Sequence, residues 1–131
     1  MLFDFEKMEV YQLSLKLIDI VVRIIKRFPK GHGKLADQMR RAAESNSLLI
    51  SEGVGEYRPT EKARFYRMSL RSLSETCSAI QIAYRLQIAN EVDYTEGYDT
   101  CTLLTKMLTN LVKSMEDRAQ QGRGQGRGLG L

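Results

Sequence analysis

The chain has 131 residues, a formal net charge of +4, no tryptophan and two cysteines. This length favours a single domain that buries roughly two-thirds of the surface of its unfolded chain without disulfide or metal staples. Cys77 and Cys101 form no Cys-x-x-Cys motif, and with one histidine they cannot complete a conventional zinc site, so they fit a reducing cytoplasm. We predict a cytoplasmic protein without a membrane role, because no apolar stretch is long enough to span a bilayer and the acidic N-terminus lacks a secretory pattern.

The first predicted helix, residues 6–28, has apolar residues on two faces. A second apolar set is displaced from the first by two residues, which is about 200° around a helix of 3.6 residues per turn. Because a small bundle cannot cover both faces of an outer helix, the pattern favours an oligomer, with a loosely patterned core helix as the alternative. The first set is Met8, Tyr11, Leu15, Ile18, Val22 and Ile25, and the second is Val10, Leu13, Leu17, Ile20 or Val21, Ile24 and Phe28.

The second predicted helix, about residues 34–52, carries a polar residue on its apolar stripe. Asn46 lies in register with Met39 and Leu49, and we expect it to bond another helix or another subunit, since an unsatisfied polar group costs about 1–3 kcal/mol. We expect Gly53 to end this helix in the left-handed cap position. The Gly-x-Gly of residues 53–55 does not fit a phosphate loop, because such loops connect a strand to a helix.

Two further helices and a tail complete the predicted domain. Helix three is expected to start with Thr60 as its N-cap and to reach about Ala89, with Cys77 on its apolar seam as a small buried residue. Helix four follows, with Asp93 in a capping position, and ends near Asp117. The sequence therefore predicts an all-α, antiparallel up-and-down four-helix bundle over residues 1–117. Residues 118–131 form a Gly/Arg/Gln-rich tail that we expect to be disordered, either solvated or an accessory RNA-binding segment.

No pattern of residues indicates an enzyme, so we predict no catalytic, cofactor or metal site. A metal-binding four-helix bundle needs Glu-x-x-His on two helices, whereas the only histidine, His32, lies in a Gly-flanked turn. A serine nucleophile elbow of the form Gly-x-Ser-x-Gly is also missing from the sequence.

Basic residues are concentrated in the first half of the chain. Residues 23–71 contain 12 basic and 5 acidic residues, or +7, whereas residues 91–117 contain 2 basic and 6 acidic residues, or −4. This polarity predicts a surface that binds RNA or DNA phosphates or complementary surfaces between subunits; an ordinary solvated face is the third interpretation. The candidate nucleic-acid-binding residues are Arg40, Arg58, Lys62, Arg64, Arg67 and Arg71.

Several short motifs in register with the predicted helices resemble one family over about residues 3–115. The motifs are Gln38-x-x-Arg41-Ala42-Ala43-x-Ser45, Glu52-Gly53, Arg64-Phe65-Tyr66 and Ser72-Leu73-x-Glu75. They resemble the bacterial four-helix-bundle proteins named after open reading frames in 23S rRNA intervening sequences, to which the accessory variability determinant of diversity-generating retroelements is related.

The resemblance implies a cyclic homopentamer without enzymatic activity. It also implies RNA or DNA binding on a basic surface and a protein partner such as a reverse transcriptase; a protein–protein adaptor ring without a nucleic-acid role is the alternative. Arg41, Asn46, Glu52 and Glu75 are then expected to be structural polar contacts. The chain departs from the family pattern, which usually has Ile at position 46, Asn at 49 and Gly at 71, so we expect the interior polar contact to have moved from 49 to Asn46.

Overall fold

A computed structural model describes residues 2–129, with side chains through residue 122. A short 3-10 helix, Asp4–Lys7, precedes four α-helices: α1 (Glu9–Ile25), α2 (Gly33–Gly55), α3 (Pro59–Arg85) and α4 (Glu91–Leu129). No strand occurs between residues 2 and 129, which confirms the all-α prediction. Helices α1 and α3 each pack against both α2 and α4, and the connections are short, which is the arrangement of an up-and-down four-helix bundle.

The helix ends differ from the sequence prediction at two N-termini. Helix α3 begins at Pro59 with Arg58 as the N-cap residue, so the assignment of Thr60 was wrong; proline suits the first helical position because its missing N–H would have no partner there. At the start of α4, the Asn90 side-chain oxygen accepts a hydrogen bond from the Asp93 main-chain N–H at 2.8 Å. Asn90 therefore caps α4, and Asp93 is free for other contacts.

Helix α4 continues beyond Asp117, where the sequence predicts its end. Arg118, Ala119 and Gln120 all have favourable helix propensity, which explains the continuation. Met1 and residues 130–131, together with the side chains of residues 123–129, lie outside the described part of the chain. Residues 118–129 of the predicted tail have a helical backbone as part of α4, and the disorder of the tail, residues 118–131, in solution stays a prediction.

The core uses the second apolar set of α1 and leaves the first set at the surface. Leu17, Ile20 and Ile24 are buried completely, whereas Ile18 is half-buried and Val22 is 38% exposed. The other fully buried aliphatic residues come from all three remaining helices: Met39, Ile50, Leu73, Ile80, Leu104 and Leu108. One face of α1 thus completes the bundle, and its other apolar face is only partly covered by the described residues of the chain.

The α3–α4 corner combines an unusual backbone with an aromatic cluster. Gln87 has a φ of 64°, and the Ile88 N–H donates to the Ala83 carbonyl at 2.9 Å, which is the Schellman ending with glutamine in the place where glycine is usual. Beside it, the Tyr84 and Tyr94 rings stack in parallel with centroids 4.1 Å apart, and Tyr98 is 6.0 Å from Tyr94.

Gly53 lies inside α2 instead of capping it, so the prediction of a left-handed cap was wrong. Its φ is not positive, and α2 continues to Gly55. A methyl group at Gly53 would lie 2.7 Å from Cε1 of Tyr66, a buried ring of α3. Burial raises the pKa of Tyr66, and the charge of Arg118 offsets this only in part, so the phenol stays neutral. Glycine is required here for close approach of the two helices.

The substitution Gly53→Ala should lower the free energy of unfolding by about 1–3 kcal/mol, because the added methyl overpacks the contact with Tyr66. Gly55→Ala is the matched control, since it adds the same methyl to the same helix with no atom within 4 Å, and it should stabilise by about 0.5 kcal/mol through helix propensity. Urea unfolding followed by circular dichroism measures both. Equal effects of the two substitutions would contradict the close-approach role of Gly53.

Candidate nucleic-acid interface

A layer of small polar side chains joins α1, α2 and α3 inside the bundle. Asn46 Nδ2 donates to Ser69 Oγ at 2.8 Å and to the Ser69 carbonyl at 3.2 Å, and Ser69 Oγ donates to the Asn46 carbonyl at 3.0 Å. Ser47 Oγ donates to Ser14 Oγ of α1 at 2.8 Å. Asn46 therefore bonds another helix of its own chain, and its Oδ1 is buried without a partner in the described residues.

The motif residues on α2 and α3 line one open groove of about 490 Å³. Arg41 enters this groove from α2 and Glu75 from α3, with Leu35 and Ile82 as apolar walls. Arg41 Nε is 2.9 Å from Asp37 Oδ2 on its own helix, so it does not reach Glu75. The groove joins apolar surface to charges of both signs, which suits contact with another protein surface better than contact with a phosphate backbone.

Glu52 and Glu75, two of the predicted structural contacts, are exposed on the surface of the chain. Neither forms an ion pair or hydrogen bond with the described residues of its own chain. Their role as structural polar contacts stays a prediction. Among the described residues, Arg41 forms an ion pair with Asp37 of its own helix.

The candidate basic residues separate into three groups. Lys62 Nζ donates to the Val54 carbonyl at 2.7 Å and to the Gly53 carbonyl at 3.3 Å, so it caps the C-terminus of α2, and its part in nucleic-acid binding stays a prediction. Arg40 pairs with Asp37 at 2.9 Å and with Glu44 at 3.9 Å. It is 15 residues before the end of α2, about 20 Å from that end at 1.5 Å per residue.

The remaining four arginines belong to the N-terminal half of α3: Arg64, Arg67 and Arg71 lie on one face of the helix at i, i+3 and i+7, and Arg58 is its N-cap residue. We call Arg58, Arg64, Arg67 and Arg71 the α3 arginine row. Arg64 and Arg71 are about 10 Å apart at the helical rise of 1.5 Å per residue. Arg64 pairs with Glu61 at 3.1 Å, and Arg67 pairs with Glu116 of α4 at 3.0 Å. Arg58 and Arg71 are exposed and have no ion pair with any described residue.

A cluster of opposite charges joins α1 to α4. The sequence analysis did not predict this cluster. The Asp93 side chain is only 7% exposed, and its oxygens lie 3.5 Å from Arg23 Nε and 3.7 Å from Arg27 Nη2. Arg23 also pairs with Glu96 at 2.7 Å. Arg23 and Asp93 belong to the basic and acidic segments found in the sequence, so part of the charge polarity is neutralised within the chain. The opposite charges of the two segments could be recognised in the sequence, but the pairing of individual residues could not.

The described residues contain no group of three or more histidine, cysteine, aspartate or glutamate side chains placed to bind a metal ion. Within the same part of the chain, no helix is both long and apolar enough to cross a membrane. The surface features that stand out are the α3 arginine row and the α2–α3 groove.

Fold and surfaces together define a small four-helix-bundle protein with a basic row and an adjoining groove. The family model of the 23S rRNA-intervening sequence protein matches residues 6–110 of the chain. The chain therefore belongs to the family of 23S rRNA-intervening sequence proteins.

A similar solved structure is the 1.70 Å crystal structure of a protein with unknown function from the S23 ribosomal protein family of Bacteroides thetaiotaomicron. It is 18% identical, with a TM-score of 0.72 over 79% of this chain and 98% of that chain. At this identity the likeness supports the fold alone. A comparison with curated proteins finds no match.

Two substitutions at Asn46 should separate hydrogen bonding from packing. Asn46→Ala removes the two bonds donated to Ser69 and leaves a cavity, so it should lower the free energy of unfolding by about 2 kcal/mol. Asn46→Leu fills the volume and removes the partnerless Oδ1, while Ser69 Oγ still donates to the main-chain carbonyl, so it should cost less than about 1 kcal/mol. Urea unfolding at equal protein concentration measures both. A larger loss for Asn46→Leu than for Asn46→Ala would contradict this account.

Proposed function

We propose that this protein is a non-enzymatic binding protein whose α3 arginine row contacts the phosphates of RNA or DNA. The observation that carries the proposal is the row itself, in which Arg58 and Arg71 are exposed and unpaired among the described residues. Guanidinium groups bind phosphates by paired hydrogen bonds as well as by charge. Three arginines on one face of α3, with Arg58 at its N-terminus, can therefore contact several phosphates of a nucleic-acid backbone.

The two paired arginines in the row also support the proposal. Arg64 and Arg67 each have side chains 53% exposed, and their partners Glu61 and Glu116 are 42% and 56% exposed. Exposed ion pairs of this kind contribute only about 0–1 kcal/mol, so a phosphate group can replace the carboxylate at little cost. The row then offers four positive charges to a ligand, with binding that weakens as salt concentration rises.

We propose further that the chain assembles into a cyclic homopentamer in the cytoplasm. The partly exposed apolar face of α1, which includes Ile18 and Val22, supports self-association because burying it in a second copy removes apolar surface from water. Two free cysteines suit a reducing compartment. A ring would present five copies of the α3 arginine row to one nucleic acid, and such repetition raises the overall affinity without new contacts.

The α2–α3 groove favours a second candidate function, that of an adaptor ring that docks another protein. Its apolar wall at Ile82 is 46% exposed, and Glu75 has no partner in the described part of the chain. The resemblance noted in the sequence suggests a reverse transcriptase as one such partner. In that case the groove would carry the interaction, and the α3 arginine row would have no role in it.

Nucleic-acid binding should depend on the two unpaired arginines. Fluorescence anisotropy with a structured RNA and with duplex DNA, at about 50 and 200 mM salt, should show affinity that falls steeply with salt. Each of Arg58→Ala and Arg71→Ala should reduce the slope of log K against log salt by about 1 and weaken both ligands alike.

Arg85→Ala is the matched control for these variants, because it removes the same kind of charge from an exposed position at the opposite end of α3, 14 residues beyond Arg71. It should leave the affinity almost unchanged. Absence of binding, or binding that is indifferent both to salt and to the substitutions on α3, would reject the nucleic-acid proposal. A stoichiometric protein partner that survives nuclease treatment and is lost with Ile82→Lys would favour the adaptor ring.

Multi-angle light scattering should give a particle with about five times the 15.0 kDa mass of one chain. Val22→Lys places a charge on the partly exposed apolar face of α1 and should shift the particle to smaller species. Asp19→Lys, on an exposed position of the same helix, is the control and should keep the wild-type mass. A stable wild-type monomer would contradict the ring and this use of α1.

A further inference from the structure

Cys77 and Cys101 lie on facing helices and line the same groove between α3 and α4, a cavity of about 270 Å³. Both thiols are free. Cys101 is buried, whereas Cys77 is only partly buried and borders the open side, so the sequence-based expectation of a buried Cys77 holds only in part. Cys77 packs against the core cluster that contains Cys101, and both side chains border the same groove, so the two thiols lie close together across the helix pair.

The two thiols differ chemically. Hydrogen bonding with Cys101 lowers the pKa of Cys77 to about 7, whereas the interaction with Cys77 and burial raise the pKa of Cys101. At neutral pH Cys77 is therefore partly a thiolate, which is the nucleophilic form of cysteine, and Cys101 stays protonated. An accessible, reactive cysteine and a second thiol next to it are the two parts that disulfide formation needs.

Polar groups surround the opening of this groove. Its lining includes the hydroxyl residues Ser74, Ser78, Tyr98, Thr102 and Thr105. Thr102 and Thr105 donate their hydroxyl hydrogens to the carbonyls of Tyr98 and Cys101 within α4, at 2.9 and 2.8 Å. The opening therefore suits a small polar molecule, and the apolar core begins only behind Cys101, which belongs to the core cluster.

We propose that Cys77 and Cys101 form a dithiol site that reacts with small hydroperoxides and closes a reversible disulfide between α3 and α4. In the first step the Cys77 thiolate attacks one peroxide oxygen, the O–O bond breaks, and with one proton the products are a Cys77 sulfenic acid and water or an alcohol. In the second step the Cys101 sulfur attacks the Cys77 sulfur, the S–O bond breaks, and the leaving hydroxide takes the Cys101 proton to form water. Cysteine sulfur is oxidised and peroxide is reduced.

Small-molecule thiols of a reducing compartment would reverse the disulfide. A small-molecule thiol attacks one of the two sulfurs and forms a mixed disulfide, and a second thiol releases the protein dithiol together with a small-molecule disulfide. While it exists, the bond joins two helices that are connected through the Gln87 corner, so it closes the loop of residues 77–101. The site is independent of the α3 arginine row and of any nucleic-acid role.

The test treats the reduced full-length protein with hydrogen peroxide and follows the thiols by alkylation and peptide mass spectrometry. At dilute protein concentration we expect an intramolecular disulfide between Cys77 and Cys101, detected as a loss of two hydrogens, with full recovery of both thiols after dithiothreitol. Cys101→Ala should stop the reaction at a Cys77 sulfenic acid that dimedone traps. Cys77→Ser should lower the rate of Cys101 oxidation by at least about tenfold, because the remaining thiol is buried and protonated.

Circular dichroism of the untreated variants shows whether each is folded, and mapping of the wild-type protein decides the proposal even if one variant is not. The proposal is overturned if wild-type protein keeps both thiols under peroxide that oxidises free cysteine. It is equally overturned if Cys101 reacts at the same rate without Cys77, or if only disulfides between separate chains form.

Discussion

The reciprocal hydrogen bonds between Asn46 and Ser69 set the register of α2 against α3, and most other features of the bundle depend on that register. In an apolar seam, two helices can slide by a turn at modest cost, whereas a buried amide that loses its partner costs far more. With this pair in place, Ser45 meets Ser72 at 2.9 Å and Gly53 meets Tyr66 at the end of the helix. Lys62 then reaches the last carbonyls of α2. A slip of either helix would break all of these contacts together.

The sequence could predict the elements well because apolar periodicity reports directly on which face of a helix is buried. It identified Asn46 as a polar residue on a buried stripe for the same reason. It could not assign Gly53, because a cap and a close helix contact both require glycine, and only the position of Tyr66 distinguishes them. Lys62 was assigned to the surface for a related reason. Its partner carbonyls lie across a turn, and the spacing of charges along one helix carries no information about them.

The electrostatics of the chain divide into an internal part and an external part. Arg23 and Arg27 hold the nearly buried Asp93, so they join α1 to α4 and contribute little to the field outside the bundle. The charges that remain for a proposed partner are those of the α3 arginine row. The polar layer sets the position of the helix that carries this row. The proposed binding surface and the polar layer of the core are therefore linked through α3. This helix supplies Ser69 to the interior and Arg67 and Arg71 to the surface.

The stacked Tyr84 and Tyr94 rings have a consequence for how this molecule can be observed. The chain has six tyrosines and no tryptophan, so its near-ultraviolet absorption and emission come mainly from tyrosine. Two of the six are parallel at 4.1 Å, and Tyr98 lies beside them, so their transitions are coupled and the optical activity of the folded chain is concentrated at the α3–α4 corner. The molecule thus carries its own optical reporter at one end of the bundle. A motion at that corner changes the coupled signal of the stacked pair.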